Sequence, residues 1–317
     1  MAGVASSLPG ALLLPGALLL CALLLCALLV AAGDDFTIHN DVRLVLLDVS
    51  VQNRDGSFVP GLSKQDFTVL EDGQPQVISV FDNQDAPVTL GIVVDESASM
   101  TPRRGQVVVA AGYLIAESNP LDEVFVLNFN DTVKRGLPEG VLFSDKIPQL
   151  RAALNRETPM GKTALYDAVA DGLKQLEEGR RGRKTLVLVS DGGDNASQHK
   201  RAETIDLVQR SAATIFTVGL FEEEDPYEAD PGILKELAKI SGGEARFPKD
   251  ADGIADTCHR FAKEIRSRYT IGYVPRDDKN VPPLRHIRVK VSAPGQNGLT
   301  VLSRTSYRYD VPPTKTK

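Results

Sequence analysis

Asp95, Ser97 and Ser99 stand at alternate positions in the stretch Gly91–Met100, GIVVDESASM, directly after a β-branched apolar run. A carboxylate and two hydroxyls at this spacing, on the loop leaving a buried strand, form a cluster of hard oxygens. Such donors suit Mg²⁺, which takes one or two carboxylates with neutral oxygens and keeps part of its water shell. The same residue types also cap helices, so the triplet alone allows two readings, a cation site or a set of helix caps. Two later stretches favour the cation. The apolar run Lys184–Val189 ends in Ser190-Asp191-Gly192-Gly193-Asp194, so Asp191 leaves a strand as Asp95 does. Met160-Gly161-Lys162-Thr163 places a further hydroxyl where a long amphipathic helix begins. Ligands of open α/β sheets collect at the carboxyl ends of the strands, where Asp95 and Asp191 both emerge.

The elements that must hold these loops are written in the hydrophobic periodicity. Strands are expected at Val88–Val94, Val124–Phe129, Thr185–Val189 and Ile215–Leu220, with a short edge strand at Thr132–Leu137. Helices are expected near Arg103–Ala116, Asp145–Asn155, Thr163–Glu178, Ala202–Ala212, Gly232–Ser241 and Ala251–Ser267. This alternation predicts an α/β fold, a doubly wound, mostly parallel sheet with helices on both faces. On either side the texture is β. Phe36–Asn53, Phe67–Leu70 and Val77–Phe81 precede the α/β unit, and Tyr269–Tyr273, Arg285–Ser292 and Leu299–Thr305 follow it. Neither flank is long enough to close a core alone. The expectation is one small β-sandwich of about six strands, built from the N- and C-terminal segments, with the α/β domain inserted in it. The boundaries are 34–86 and 269–311 for the sandwich, 87–268 for the inserted domain and 312–317 for a disordered tail. Residues 1–33 carry no charged side chain, and Leu12–Leu29 is nearly all Leu and Ala. That segment reads as a secretory signal peptide or an N-terminal membrane anchor. Either places the remainder outside the cytoplasm, with membrane contact only through such an anchor.

The set D-x-S-x-S, a G-x-T-x-L helix start and an apolar strand ending in S-D-G resembles the von Willebrand factor type A domain over about Pro87–Arg268. The resemblance implies a metal-ion-dependent adhesion site. Asp95, Ser97 and Ser99 match its first loop, Thr163 its second, and Asp191 its third, often acting through water. It implies Mg²⁺ (or Mn²⁺ or Ca²⁺) with one open position for the Asp or Glu carboxylate of a protein partner. Asp66–Gly73 and Tyr269–Tyr273 resemble the flanks of a bacterial group of secreted proteins, the VWFA-related domain family. The functional expectation is a secreted or envelope-associated adhesion or interaction module, and not an enzyme.

Other chemistries fit less well. The formal charge of −6 argues against a nucleic-acid partner, which leaves a basic patch. Gly161-Lys162-Thr163 copies the end of a phosphate-binding loop, but Arg156 stands where that motif needs Gly. Ser97 occupies the place of the second Asp of a phosphatase-like nucleophile pair, and no G-x-S-x-G elbow exists. His39, His199, His259 and His286 show no metal-ligand spacing. The alternatives are a metal-assisted hydrolase using the same cation, with Glu96 or Asp194 as base, or a scaffold part of an envelope complex. Glu96 alternates with the ligands and is expected to point away from them. Cys258 is expected to be a buried, inert thiol. Glu222–Asp225 follows the strand Ile215–Leu220; it is either a solvated loop or an acidic border of the binding face.

Overall fold

The structure, a computed structural model, describes residues 44–220, 229–276 and 282–309, all of which fall in one compact unit, Arg43–Lys317. Residues 1–33, Phe36–Arg43, Glu222–Asp225 and 312–317 lie outside the described residues. The expectations of a leader, the start of the first strand, an acidic border and a disordered tail rest on them. No helix among the described residues is long and apolar enough to cross a membrane.

Four strands come first: Val45–Gln52 (β1), Phe67–Glu71 (β2), Gln74–Gln76 (β3) and Ile78–Asp82 (β4). The α/β part then runs Val88–Asp95 (β5), Arg104–Ala116 (α1), Glu123–Phe129 (β6), Val133–Arg135 (β7), Ile147–Leu154 (α2) and Leu165–Glu177 (α3). It continues with Arg183–Ser190 (β8), Arg201–Arg210 (α4), Thr214–Gly219 (β9), Pro231–Ser241 (α5), Ala245–Arg246 (β10) and Ala251–Arg266 (α6). Tyr269–Tyr273 (β11), Leu284–Val291 (β12), Thr300–Leu302 (β13) and Ser306–Arg308 (β14) close the described chain.

The central sheet has the order β10-β9-β8-β5-β6-β7. All neighbours pair in parallel except the edge strand β7, which runs antiparallel to β6. Every residue of β5 and of β9 is buried, which explains why both read as continuous apolar runs rather than alternating ones. Helix α1 contacts both α2 and α6, and α4 contacts both α3 and α5 in a second set. The chain leaves β5 through α1 towards β6, but leaves β8 through α4 towards β9 on the other side. The two central strands are adjacent, with Val94 opposite Val189. Their carboxyl ends therefore flank the point where the connections diverge, the place at which such sheets open a crevice. The mixed fold expected from the pattern, a mostly parallel sheet with additional antiparallel sheets, is the fold observed.

Two antiparallel sheets, β13-β1-β11-β4 and β14-β12-β2-β3, draw strands from both ends of the chain. They share one apolar core that includes Leu47, Val49, Phe67, Val69, Tyr269 and Ile271. They hold eight strands, not six. The β3 strand was not anticipated, because Gln-Pro-Gln carries no apolar signal. The stretch Leu299–Thr305, expected as one strand, ends at Leu302, and a separate strand begins at Ser306. The two strands serve different sheets: β13 pairs with β1, and β14 with β12. Between them Arg304 is buried, and its Nη2 donates to Val208 O (3.3 Å) and Ser211 O at the carboxyl end of α4.

Candidate metal site

Three loops meet at the divergence point. The first follows β5 and begins with Asp95, which is fully buried. Its Oδ1 accepts the Ser97 backbone N–H (2.9 Å), and its Oδ2 accepts the Ser190 hydroxyl (2.6 Å). The Ser97 and Ser99 hydroxyls lie 3.0 Å apart, and the Ser99 hydroxyl donates to Asp191 Oδ2 (2.7 Å). Asp191 Oδ1 accepts the Gly193 N–H (2.9 Å). A continuous chain thus runs Ser97–Ser99–Asp191 between loops that are 92 residues apart in sequence. None of these side chains caps a helix. Ser97 precedes the 3-10 turn Ala98–Arg103 without a side-chain capping bond, and α1 begins after Arg103, also uncapped.

The second loop carries Thr163. The helix expected from Thr163 starts at Leu165 instead. The reason is that the Thr163 backbone is held from both sides. Its N–H donates to Asn195 Oδ1 (2.8 Å), and its carbonyl accepts the N–H groups of Asn195 (2.9 Å) and Ala196 (3.0 Å). The third loop also takes over the capping of α3. Asp194 Oδ1 accepts the Tyr166 N–H (3.2 Å) and the Ser197 hydroxyl (2.5 Å), while Ser197 Oγ accepts the Asp167 N–H (3.1 Å). Thr163 is buried, and its hydroxyl makes no side-chain hydrogen bond among the described residues. First and second loops are joined by Met160 N–H to Glu96 O (2.8 Å) and Ala98 N–H to Gly161 O (3.2 Å). Gly161 has φ +77°, and a Cβ there would fall 1.9 Å from Asp131 Oδ2. Only glycine serves at this turn, and Asp131 is a carboxylate that the sequence pattern did not bring to this edge.

The electrostatics are those of a site short of positive charge. Burial, reinforced by the charge of Asp191, pushes the Asp95 carboxyl from 3.8 up to about 7, against the hydrogen bonds from Ser190 and Ser97. Glu96 is fully buried and turns away, as its alternation with the ligands predicts: Arg104 Nη1 lies 2.8 Å from its Oε1. That contact is an ion pair outside hydrogen-bond angles, and neither Glu96 oxygen has a hydrogen-bond partner among the described residues. Burial also pushes the Glu96 carboxyl up to about 7, with Arg104 opposing. Among the described residues no three or more His, Cys, Asp and Glu side chains group as a metal site. The cluster has two carboxylates, and its remaining oxygens are hydroxyls. That donor set fits a small hard cation with retained water, and the mutual repulsion of Asp95 and Asp191 is what such a cation relieves.

Residues 90–193 match the family model of the von Willebrand factor type A domain. This stretch of the chain is similar to a von Willebrand factor type A domain. All five expected site residues fall inside the matched range. A solved von Willebrand factor type A structure from Catenulispora acidiphila is similar at 14% identity and a TM-score of 0.50, covering 85% of this chain and 75% of that one. The conserved hypothetical protein BatB from Bacteroides thetaiotaomicron is similar at 16% identity and a TM-score of 0.47, covering 57% of this chain and 100% of that one. The open conformation of the pilus adhesin SpaC from Lactobacillus rhamnosus GG is similar at 11% identity and a TM-score of 0.48, over 77% of this chain and 47% of that one. At these identities the likeness is one of fold. No curated protein matches the chain.

Three residues that hold these loops, Ser190, Asn195 and Asn130, were not singled out by sequence reasoning. Ser190 was present in the S-D-G signal but counted only as strand end. Asn195 holds the Thr163 N–H through its Oδ1, and the Asn130 carbonyl accepts the Ala164 N–H (2.8 Å). An Asn at the first position of a loop following a buried strand is the signal that could have found Asn130. His199 has its Nδ1 2.6 Å from Asp167 Oδ1. Cys258 is buried, and burial pushes its thiol up to about 12.

Proposed function

We propose that the chain is an extracytoplasmic interaction module that captures a carboxylate of a protein partner through a divalent cation, Mg²⁺ or Mn²⁺. Asp95 and Asp191 supply the negative charge, and Ser97, Ser99 and Thr163 supply neutral oxygens. The bound cation provides a site of positive charge for one outside carboxylate, and dominates the local field despite the acidic chain. The observation that carries this reading is the Ser97–Ser99–Asp191 chain. Side chains that merely capped helices would be spent on backbone N–H groups, whereas these hydroxyls face one another and a second carboxylate. The Thr163 hydroxyl, without a side-chain hydrogen bond among the described residues, supports the same reading. The extracytoplasmic placement is supported by the uncharged segment at 1–33. A hydrolase reading gains nothing from the geometry, since Glu96 faces Arg104 and Asp194 Oδ1 is held by Ser197 and Tyr166.

Paramagnetic Mn²⁺ with acetate as the carboxylate probe tests the proposal. The parent is expected to bind Mn²⁺, and its resonance spectrum to change on adding acetate; Asp95→Ala and Thr163→Val are expected to bind weakly or not at all. A parent spectrum indifferent to acetate would refute carboxylate capture, and variants that bind like the parent would refute the site.

A further inference from the structure

Arg104 is the first residue of α1, and its guanidinium is shared between three pieces of chain. Nη1 lies 2.8 Å from the buried Glu96 Oε1, and Nη2 donates to Leu154 O (2.6 Å) and Glu157 O (3.2 Å). Leu154 ends α2, and Glu157 begins the segment that leads to Thr163. Glu96 in turn sits between the two ligand positions Asp95 and Ser97. Its backbone N–H donates to Phe129 O (2.7 Å), and its carbonyl accepts the Met160 N–H (2.8 Å). The second loop is therefore gripped at its start by the Glu96–Arg104 pair and further along by the Glu96 backbone. A solvent-facing residue between two ligands would have no such reach. Glu96 is instead buried, with an ion-pair partner that is itself mostly covered.

We infer that the Glu96–Arg104 pair is a positioning device that sets Thr163 against Asp95, Ser97 and Ser99, and thereby makes the site selective for Mg²⁺ over Ca²⁺. The inference rests on the cation reading proposed above. Neither residue touches the cation. The physical ground is that Mg²⁺ demands near-ideal octahedral oxygens at short range, while Ca²⁺ accepts a looser and more variable set. Loosening the second loop thus penalises Mg²⁺ first. Residues that orient ligands from behind commonly change metal affinity about 10- to 100-fold when removed.

The test compares Mg²⁺ and Ca²⁺ affinities of the parent with Arg104→Met, Arg104→Lys and the double variant Glu96→Gln/Arg104→Met. The double variant leaves no buried charge without a partner, so it reads the loss of positioning without the destabilisation that an unpaired Glu96 adds in Arg104→Met. Amide hydrogen exchange of Met160 and Ala98 is read in the metal-free proteins. Mg²⁺ affinity is expected to fall about 10-fold or more and Ca²⁺ affinity less than about threefold. Met160 and Ala98 are expected to exchange faster than in the parent. Lys, which keeps the charge without the fork, is expected not to restore Mg²⁺ selectivity. Equal losses for both ions, the mark of simple destabilisation, would overturn the inference, as would unchanged affinities or full rescue by Lys. A parent that binds neither ion would overturn the cation reading itself. A parent that binds both, with variants of unchanged selectivity, would overturn only the positioning role.

Discussion

Asp95→Asn is expected to stabilise the metal-free protein at alkaline pH and to have lost that effect at acid pH. In the folded chain the Asp95 carboxyl is pushed from 3.8 to about 7, first by burial and then by the charge of Asp191. Unfolded, it titrates near its ordinary value. Between those two pH values the folded state therefore holds a proton that the unfolded state has lost, and stability falls as pH rises through about 7. A shift of this size corresponds to on the order of 4 kcal/mol between the neutral and ionised forms. Asn removes the charge but replaces one acceptor oxygen by an NH₂. Either the Ser97 N–H or the Ser190 hydroxyl then loses its acceptor, a cost of about 1–3 kcal/mol. The net gain expected above pH 8 is about 1–3 kcal/mol; at pH 5 the penalty left in the parent is about 1.5 kcal/mol, comparable with the cost of the lost acceptor, so the gain vanishes. Urea unfolding of both proteins in chelator at pH 5 and pH 8.5 measures the difference. A parent-to-variant difference of the same size and sign at both values would refute the argument, because it would mean that Asp95 carries no buried charge. The same experiment with saturating Mg²⁺ should reverse the order, since a cation that binds the folded parent alone adds stability to it.

Three further outcomes follow from the same geometry. Ser190→Ala removes the donor to Asp95 Oδ2 and the acceptor of the Gly192 N–H, and is expected to cost about 1–3 kcal/mol in urea unfolding and to weaken Mg²⁺ binding in calorimetry. Gly192→Ala places a Cβ at φ +89° and 2.2 Å from Asp230 O; it should cost more than about 2 kcal/mol and disturb the third loop, visible as a lowered unfolding midpoint. Cys258, with its thiol pushed up to about 12, should resist thiol-reactive dyes at pH 8 until denaturant opens the chain; immediate labelling of the folded protein would contradict its burial.

How much could be read from the sequence differs between elements for physical reasons. β5 and β8 were evident because strands covered on both faces must be apolar throughout, and their abrupt ends at Asp95 and Ser190-Asp191 located two of the three loops. β11 was placed to the residue, at Tyr269–Tyr273, because a short aromatic-rich run was bounded by charge and Pro. The start of α3 was misplaced by two residues because the signal that fixes it is not local. Thr163 looks like a helix cap, yet Asp194 and Ser197, some 30 residues on, accept the N–H groups at the start of α3. The same limit hid Arg104. Its partners at Glu96, Leu154 and Glu157 are brought together by the sheet, and no spacing in the sequence announces them. Gln74–Gln76 was invisible because an edge strand of polar residues has no period to read.

The central claim is that Asp95, Ser97, Ser99, Thr163 and Asp191 together hold a divalent cation. The most direct test is calorimetric titration of Mg²⁺ into the chelator-treated chain, beside Asp95→Ala, in acetate-containing buffer so that the outside carboxylate is supplied. One Mg²⁺ bound per chain by the parent and none by the variant is the predicted result. A parent that takes up no Mg²⁺ under these conditions, or a variant that binds as the parent does, would contradict it.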